Sequence, residues 1–218
     1  TVGGGSAGTD MNAIPLIALK GVEVLRDGAA AQYGSDAIAG VINLSLNNST
    51  DLTTGYVQYG ETAEGDGETI SAGLNRGFEL GNEGGFINLS LEYRDADKTN
   101  RAERDTGGSL NVAPGTLSDE VRWGQGNAES EFTSVFYNMT LPMSEGELYS
   151  FGGYSERTAL GNGFYRNFNE ASKNVIQVYS DGFLPQIDNE AQDISVSIGF
   201  RGDINPDWNY DVSAVYGE

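Results

Sequence analysis

The segment Ile87-Asn88-Leu89-Ser90-Leu91-Glu92-Tyr93-Arg94 puts Ile87, Leu89, Leu91 and Tyr93 on one side of an extended chain and Asn88, Ser90, Glu92 and Arg94 on the other. A period of two marks a strand with unlike faces, because successive side chains of extended backbone point in opposite directions. The pattern recurs along the chain. Val57 and Tyr59 share a face, as do Ile70, Ala72 and Leu74. Val135, Tyr137, Met139 and Leu141 stand against Ser134, Asn138 and Thr140; Ile194, Val196, Ile198 and Phe200 stand against Asp193, Ser195, Ser197 and Arg201. Tyr210, Val212, Ala214 and Tyr216 stand against Asp211 and Ser213. The stretch Leu148 to Glu156 is less regular, with Tyr149 and Phe151 on one face and Tyr154 on the other. Seven strands are expected after residue 48.

The links between these strands alternate in length. Gly81-Asn82-Glu83-Gly84-Gly85, Ser144-Glu145-Gly146-Glu147 and Asn205-Pro206-Asp207 are tight turns. The links from about Asp95 to Glu131 and from about Arg157 to Asn189 are much longer and rich in Asp, Asn, Arg and Gly. Short turns at one end of a sheet and long loops at the other are the asymmetry of outer-membrane β-barrels. Aromatics fit that arrangement: Phe78, Phe86, Tyr149, Phe200, Trp208 and Tyr210 fall beside the short turns, while Tyr59, Tyr93 and Tyr216 fall toward the opposite ends. A soluble antiparallel sandwich also alternates and also carries aromatics, but apolar faces almost uninterrupted by charge, and polar faces that include Glu92, Arg94, Asp193 and Arg201 as a wet lumen tolerates, favour the barrel.

Composition restricts the chemistry. The 218 residues carry 12 Lys+Arg against 32 Asp+Glu, 12 − 32 = −20, which excludes the basic face that nucleic-acid binding requires. The chain has no Cys and no His, so structural zinc sites, thiol nucleophiles, disulfide scaffolds and Ser-His-Asp triads are all excluded. Gly at 31 of 218 is about twice the usual share, while Pro is only 5, a balance that suits many turns and strands. No apolar run of about 20 residues is present, so no transmembrane helix is expected.

Before residue 48 the composition differs. Pro15 is placed to open a short helical turn in Ile14-Pro15-Leu16-Ile17-Ala18-Leu19, and Val22-Glu23-Val24-Leu25-Arg26 alternates like a half-buried strand. Asp27-Gly28 reads as a turn, Ala29-Ala30-Ala31-Gln32-Tyr33 as a short helix closed by Gly34, and Gly40-Val41-Ile42-Asn43-Leu44-Ser45-Leu46 as a second strand. This piece is too short to support its own core.

Residues 14–44, with the Ile-Pro-led turn, the strand ending Val24-Leu25-Arg26, Tyr33-Gly34 and the strand Gly40-Val41-Ile42-Asn43, closely resemble the C-terminal end of the plug domain of TonB-dependent outer-membrane receptors. Lys20-Gly21 departs from the Glu-Arg of many members, although Glu23 and Arg26 remain available. The resemblance implies a mainly β fold: part of an antiparallel transmembrane β-barrel with the end of a small α+β plug. Residues 1–48 would be the C-terminal part of the plug and 49–218 the N-terminal strands of the barrel, with Glu61 to Glu68 as a short first outer loop. Family barrels have about 22 strands, so the chain is expected to belong to a longer receptor whose TonB-contacting box lies upstream. The implied function is uptake of a scarce nutrient (an iron chelate, cobalamin or an oligosaccharide), powered through TonB in the outer membrane of a Gram-negative bacterium.

The partners so implied are TonB, the nutrient and outer-membrane lipid, with no nucleic acid, cofactor, metal or catalytic residue. Glu23, Arg26, Tyr33, Gly34 and Asn43 are the plug–barrel contacts the resemblance implies. Among the loop residues, Phe164, Tyr165, Arg166 and Phe168 offer the stacking and hydrogen-bonding groups that hold a sugar or chelate, though a solvated loop uses the same residue types. Asp95-x-Asp97-x-Thr99 opens like an EF-hand, but Asn100 occupies the glycine position and Thr106 the bidentate position, so the match fails. Glu64-Gly65-Asp66-Gly67-Glu68 and Asp105 are candidates for loose divalent-cation binding. Asn48-Ser49-Thr50, Asn88-Leu89-Ser90 and Asn138-Met139-Thr140 fit the glycosylation triplet but are discounted on the bacterial resemblance. Competing functions are a non-transporting surface β-protein, such as an adhesin or sugar-binding module, and an acid–base hydrolase using paired carboxylates, for which no recognisable setting exists.

Overall fold

The computed structural model describes residues 11–26, 33–34, 40–103 and 123–218. The expected turn at Asp27-Gly28, the helix over Ala29 to Gln32, and Asp105 and Thr106 lie outside them. Among the described residues are two 3-10 turns, Met11–Ala13 and Leu16–Ala18, and nine strands: β1 (Leu19–Arg26), β2 (Gly40–Leu46), β3 (Thr53–Gly60), β4 (Thr69–Leu80), β5 (Gly85–Ala96), β6 (Glu129–Met143), β7 (Gly146–Asn162), β8 (Gln186–Asn205) and β9 (Trp208–Gly217). β1 and β2 pair antiparallel with each other, and β3 to β9 form one seven-stranded antiparallel meander in chain order, open at β3 and β9. The turns 81–84, 144–145 and 206–207 lie at one end, and the loops 61–68 and 163–185 at the other, together with residues 97–103 and 123–128. Gly81 and Gly84 close the first turn at φ 70° and 85°, a region that residues bearing a Cβ rarely occupy.

Strand pairing runs further than hydrophobic alternation predicts. Arg157 to Asn189, expected as one long link, is strand at both ends, since Arg157 pairs with Ala191 and the ladder continues to Asn162 opposite Gln186. Likewise β5 reaches Ala96 and β6 starts at Glu129, inside the expected link. The reason is physical: beyond Tyr154 and Ile194 both faces carry polar residues, Glu156, Thr158, Glu190 and Gln192 on one and Ser155, Arg157, Asn189 and Asp193 on the other. The backbone ladder persists there while the apolar stripe that reveals a strand has ended.

Register assigns each side chain to a face, and burial of the two faces is inverted relative to a water-soluble sheet. Leu74, Leu91 and Val135 lie side by side across β4, β5 and β6. Leu91 and Val135 are 48% and 49% exposed, and Ile198 on β8 is 48% exposed. On the opposite face Asn75, Asn88 and Ser134 are 1%, 2% and 0% exposed, and Ser90, Glu92, Ser155 and Ser197 are buried beside them. The apolar face is therefore the outer one and the polar face the covered one. A soluble sandwich requires the reverse, because burying apolar area is what stabilises it, by roughly 25 cal/mol per Å².

The same register sorts the aromatics. Ile87 pairs with Phe78, and Phe200 with Val212, which puts Phe78, Phe200, Trp208 and Tyr210 on the outer face near the short turns. Phe86 and Tyr149 share Thr140 as cross-strand neighbour and point to the covered face, so they are not part of that outer cluster. At the other end Tyr59, Tyr93 and Tyr216 are outward, joined by Tyr154. One cation interrupts the outer apolar stripe of β4: Arg76, whose guanidinium donates to Thr53 Oγ1 at 2.9 Å and lies 5.6 Å from the Phe78 ring centre.

Candidate functional site: the strap on the covered face and the outer loops

The covered face is covered by the chain's own first segment. Pro15, at φ −65°, precedes the turn Leu16–Ala18, as its pre-set φ favours, and the Ala18 N–H donates back to the Pro15 carbonyl at 3.0 Å. The turn presents the Ile17 N–H to Glu92 Oε2 on β5 at 3.3 Å, which gives a buried carboxylate a donor. After β2 the chain returns as a short strap at residues 47–49. Asn47 N–H donates to the Ala18 carbonyl at 2.8 Å, tying strap to turn. Asn47 Nδ2 donates to Asn75 Oδ1 at 3.0 Å, Asn88 Nδ2 to the Ser49 carbonyl at 2.9 Å, and Asn138 Nδ2 to the Asn47 carbonyl at 3.1 Å. Asn75 Nδ2 in turn donates to Asn88 Oδ1 and, at 2.8 Å, to Ser90 Oγ. Three neighbouring strands thus hold the strap through amide side chains that are themselves partnered. Gly77 makes the approach possible, since a Cβ there would run into the Ser49 carbonyl oxygen.

Away from this anchor the hairpin stands off the wall. An open cleft of about 800 Å³ lies between Leu44 and Leu46 of β2 and Phe86, Phe136, Tyr149 and Phe151 of the sheet. At its edge Arg201 lies in register between Glu147 and Asp211. It donates from Nε to Glu147 Oε1 at 2.8 Å and sits 5.2 Å from the Tyr149 ring centre, while the Tyr149 hydroxyl donates to Asp211 at 2.7 Å.

Of the residues expected at the plug–barrel contact, Glu23 and Asn43 oppose each other across β1 and β2, and Asn43 Nδ2 donates to Glu23 Oε2 at 3.1 Å. Both are exposed, as are Arg26, Tyr33 and Gly34. The hydrogen bonds from this segment to the sheet come instead from Ile17, Asn47 and Ser49. Asn75 and Asn88 are therefore anchoring positions for the strap that sequence reading missed. Their signal was present, for three asparagines fall in phase with the polar face at strand centres, where a wet surface has no need of amides.

The loop 163–185 has an internal packing of its own. The Tyr165 hydroxyl donates to the Asp181 carbonyl at 2.7 Å, and the Arg166 backbone pairs with Phe183. Tyr179 stacks on Phe183 with ring centres 4.3 Å apart, and buried Asn174 donates from Nδ2 to the carbonyls of Asn167 and Tyr179. Of the four candidate ligand residues, Phe164 is 87% exposed, whereas Tyr165, Arg166 and Phe168 are half-buried.

Loop 61–68 is tied to its neighbour by Arg101. The guanidinium meets Asp66 as a fork, NH1 to Oδ2 at 2.6 Å and NH2 to Oδ1 at 2.8 Å, and the Asn100 N–H adds a bond at 3.1 Å. Asp66, a candidate cation ligand in the sequence, is thus committed to an arginine, and no group of three metal-ligating side chains occurs among the described residues. The bond to Arg101, helped by Thr62, holds the Asp66 carboxyl well below the usual carboxylate range. A depressed folded pKa contributes stability that is present above the ordinary carboxylate pKa and is lost as pH falls through the lower folded value. Protease cleavage within 61–68 is therefore expected to be slow at neutral pH and to rise with strong acidification, and Asp66→Asn is expected to show the fast rate already at pH 7.

A strap is thus seated on the polar face of an open antiparallel sheet whose apolar face is the outer one. The family description "TonB-dependent Receptor Plug Domain" matches residues 1–41. Among curated proteins, the "Probable TonB-dependent siderophore receptor PirA" of Acinetobacter baumannii is 37% identical over 97 residues, 44% of this chain and 12% of that protein. The "Vitamin B12 transporter BtuB" of Vibrio cholerae serotype O1 is 32% identical over 111 residues, 51% of this chain and 14% of that protein. The chain thus spans only about an eighth of the length of the relatives it matches. No solved structure gives a significant match.

Proposed function

We propose that residues 1–48 form the end of a plug and residues 49–218 the first strands of a transmembrane barrel in an outer-membrane active transporter of a Gram-negative bacterium. The observation that carries this reading is the inverted sheet, apolar outward and polar inward, with a plug segment hydrogen-bonded to its polar face. Lipid solvates the outer face as water cannot, and the polar face lines the lumen. A scarce nutrient, an iron chelate or cobalamin by analogy with the relatives' names or an oligosaccharide, binds from the loop end; TonB, driven by the inner-membrane proton gradient, then displaces the plug. Loop 163–185 faces the nutrient through Phe164, with Tyr165, Arg166 and Phe168 shaping it. Glu23, Arg26, Tyr33, Gly34 and Asn43 face the remainder of the wall. A surface adhesin or sugar-binding sandwich fits less well, since its apolar faces would meet each other.

The test is made on the full-length receptor in a Gram-negative host. It is expected in the outer-membrane fraction, released only by detergent, with nutrient uptake abolished when TonB is deleted. Recovery in the soluble fraction without detergent would sink the proposal.

A further inference from the structure

Charge on the outer face of β3 to β9 is sorted by sign along the strands. Its acids, Asp95, Glu129, Glu131, Glu156, Asp188 and Glu190, all stand toward the loop end. Its single cation among the described residues is Arg76, four residues before β4 ends at Leu80, or about 14 Å along the strand at roughly 3.4 Å per residue. The side chain of Arg76 runs toward the short turns, for its guanidinium lies 5.6 Å from the centre of the Phe78 ring, two residues nearer the turn. Long cationic side chains on an apolar wall carry their heads to the water boundary in this way. Phe78 stands with Phe200, Trp208 and Tyr210 among the outer aromatics near the turns, the level of an interfacial girdle. Thr53 Oγ1 accepts one guanidinium N–H at 2.9 Å and the Phe78 ring covers one face. Arginine has five such donors, and no acid among the described residues pairs with this one.

We infer that Arg76, Thr53 and Phe78 seat one glycerophospholipid of the leaflet at the short-turn end, with the guanidinium on the phosphodiester oxygens and the acyl chains along Leu74 and Leu89. This rests on the reading of the sheet as a barrel wall and adds a lipid partner to it. Charge selects the headgroup: a phosphate presents paired oxygens that a guanidinium meets through parallel N–H bonds, and a fork already held by Thr53 and Phe78 loses little freedom in doing so. Surroundings select the lipid over a dissolved anion. Leu74, Phe78 and Leu89, which flank the guanidinium on its own face, are apolar and 50%, 48% and 43% exposed. An anion that arrives with its own acyl chains fits such a wall, whereas inorganic phosphate would have to shed its water there. The acids of the outer face stand at the opposite end and leave the headgroup unopposed.

Binding is measured by native mass spectrometry on the full-length receptor, extracted from outer membranes, stripped of loosely held lipid in detergent and titrated with palmitoyl-oleoyl phosphatidylglycerol, the matching phosphatidylethanolamine or the matching diacylglycerol. Both phospholipids are expected to fill a tight site that diacylglycerol leaves empty. Arg76→Leu, whose apolar side chain suits the wall and so guards against a folding defect, is expected to weaken that site about tenfold, the scale of one lost charge-assisted contact. Arg76→Lys keeps the charge without the fork and is expected to fall between the two. Lys173→Leu, which removes a cation from the outer loops, is expected to change nothing, and excess inorganic phosphate is expected not to displace the lipid. Equal affinity in Arg76→Leu and the unaltered receptor, as when an acid of the strand that closes against β3 takes the guanidinium, would overturn the inference. Diacylglycerol filling the same site or displacement of the lipid by inorganic phosphate would overturn it too. In each of these cases the receptor's need for detergent leaves the barrel reading standing, whereas a receptor soluble without detergent would overturn that reading and the lipid seat with it.

Discussion

Val196→Arg is expected to reduce folded receptor in the outer membrane by tenfold or more, while Ser195→Arg, one residue along the same strand, leaves assembly close to unchanged. Val196 is 37% exposed on the outer face, inside the apolar run from Ile194 to Phe200, and Ser195 pairs with Gly153 on the inner face. An arginine on the lipid face near the bilayer midplane costs about 2–4 kcal/mol, whereas the same residue in a wet lumen remains solvated. The result discriminates because water and lipid predict opposite outcomes. If the outer face met water, Val196→Arg would be a surface change worth within about 0.5 kcal/mol. The measurement is the fraction of receptor in outer membranes that resists unfolding by SDS at room temperature. Pairing Leu91→Arg with Val135→Arg, which are directly opposed in register, is expected to be worse than the sum of the two, since like charges then face each other across the ladder.

The second large effect is expected at the strap. Asn75→Ala removes the acceptor for Asn47 Nδ2 and the donor to Ser90 Oγ, and it breaks the reciprocal amide pair with Asn88. A buried polar group left without a partner costs about 1–3 kcal/mol, so roughly 3 kcal/mol is expected here, or about a hundredfold in the local opening equilibrium. Hydrogen exchange read on peptides covering residues 47–49 reports it, and peptides from the β6–β7 ladder serve as the internal control. Gly77→Val is expected to produce the same acceleration by a different route, pushing the Ser49 carbonyl away from the wall. Asn75→Ala and Asn88→Ala combined are expected to cost less than their sum, because each already disrupts the same network. Unchanged exchange at 47–49 in all three variants would mean that the strap is held by something other than these amides.

The number and direction of the strands were legible because apolar residues at every second position cannot be arranged otherwise. Which face is covered was not, since Leu89 and Ser90 alternate identically in a sandwich and in a barrel wall. Only the seating of Asn47 and Ser49 against Asn75 and Asn88 resolves it. Strand ends were underestimated at Arg157 to Asn162 because pairing there is sustained by backbone hydrogen bonds, which leave no hydropathic trace. The plug segment was recognisable from Pro15, Tyr33-Gly34 and the Gly40 strand, while its hydrogen bonds to the described sheet come from other residues. Charged Glu23 and Arg26 drew attention, while a backbone N–H at Ile17 and a carbonyl at Ser49 carry the bonds. Backbone groups belong to every residue and so identify none.

The ladder of β7 and β8 beyond Tyr154 has a mechanical consequence. From Tyr154 to Asn162 the strand advances about 27 Å at roughly 3.4 Å per residue, and somewhat less in height once tilted. β6 accompanies β7 as far as Leu160, so loop 163–185 is carried on the stiff rim of a continuous sheet beyond the apolar stripe. In the transporter proposed above, that rim would hold the loop tip where a reagent too large to enter a lumen, such as an antibody, can grip it.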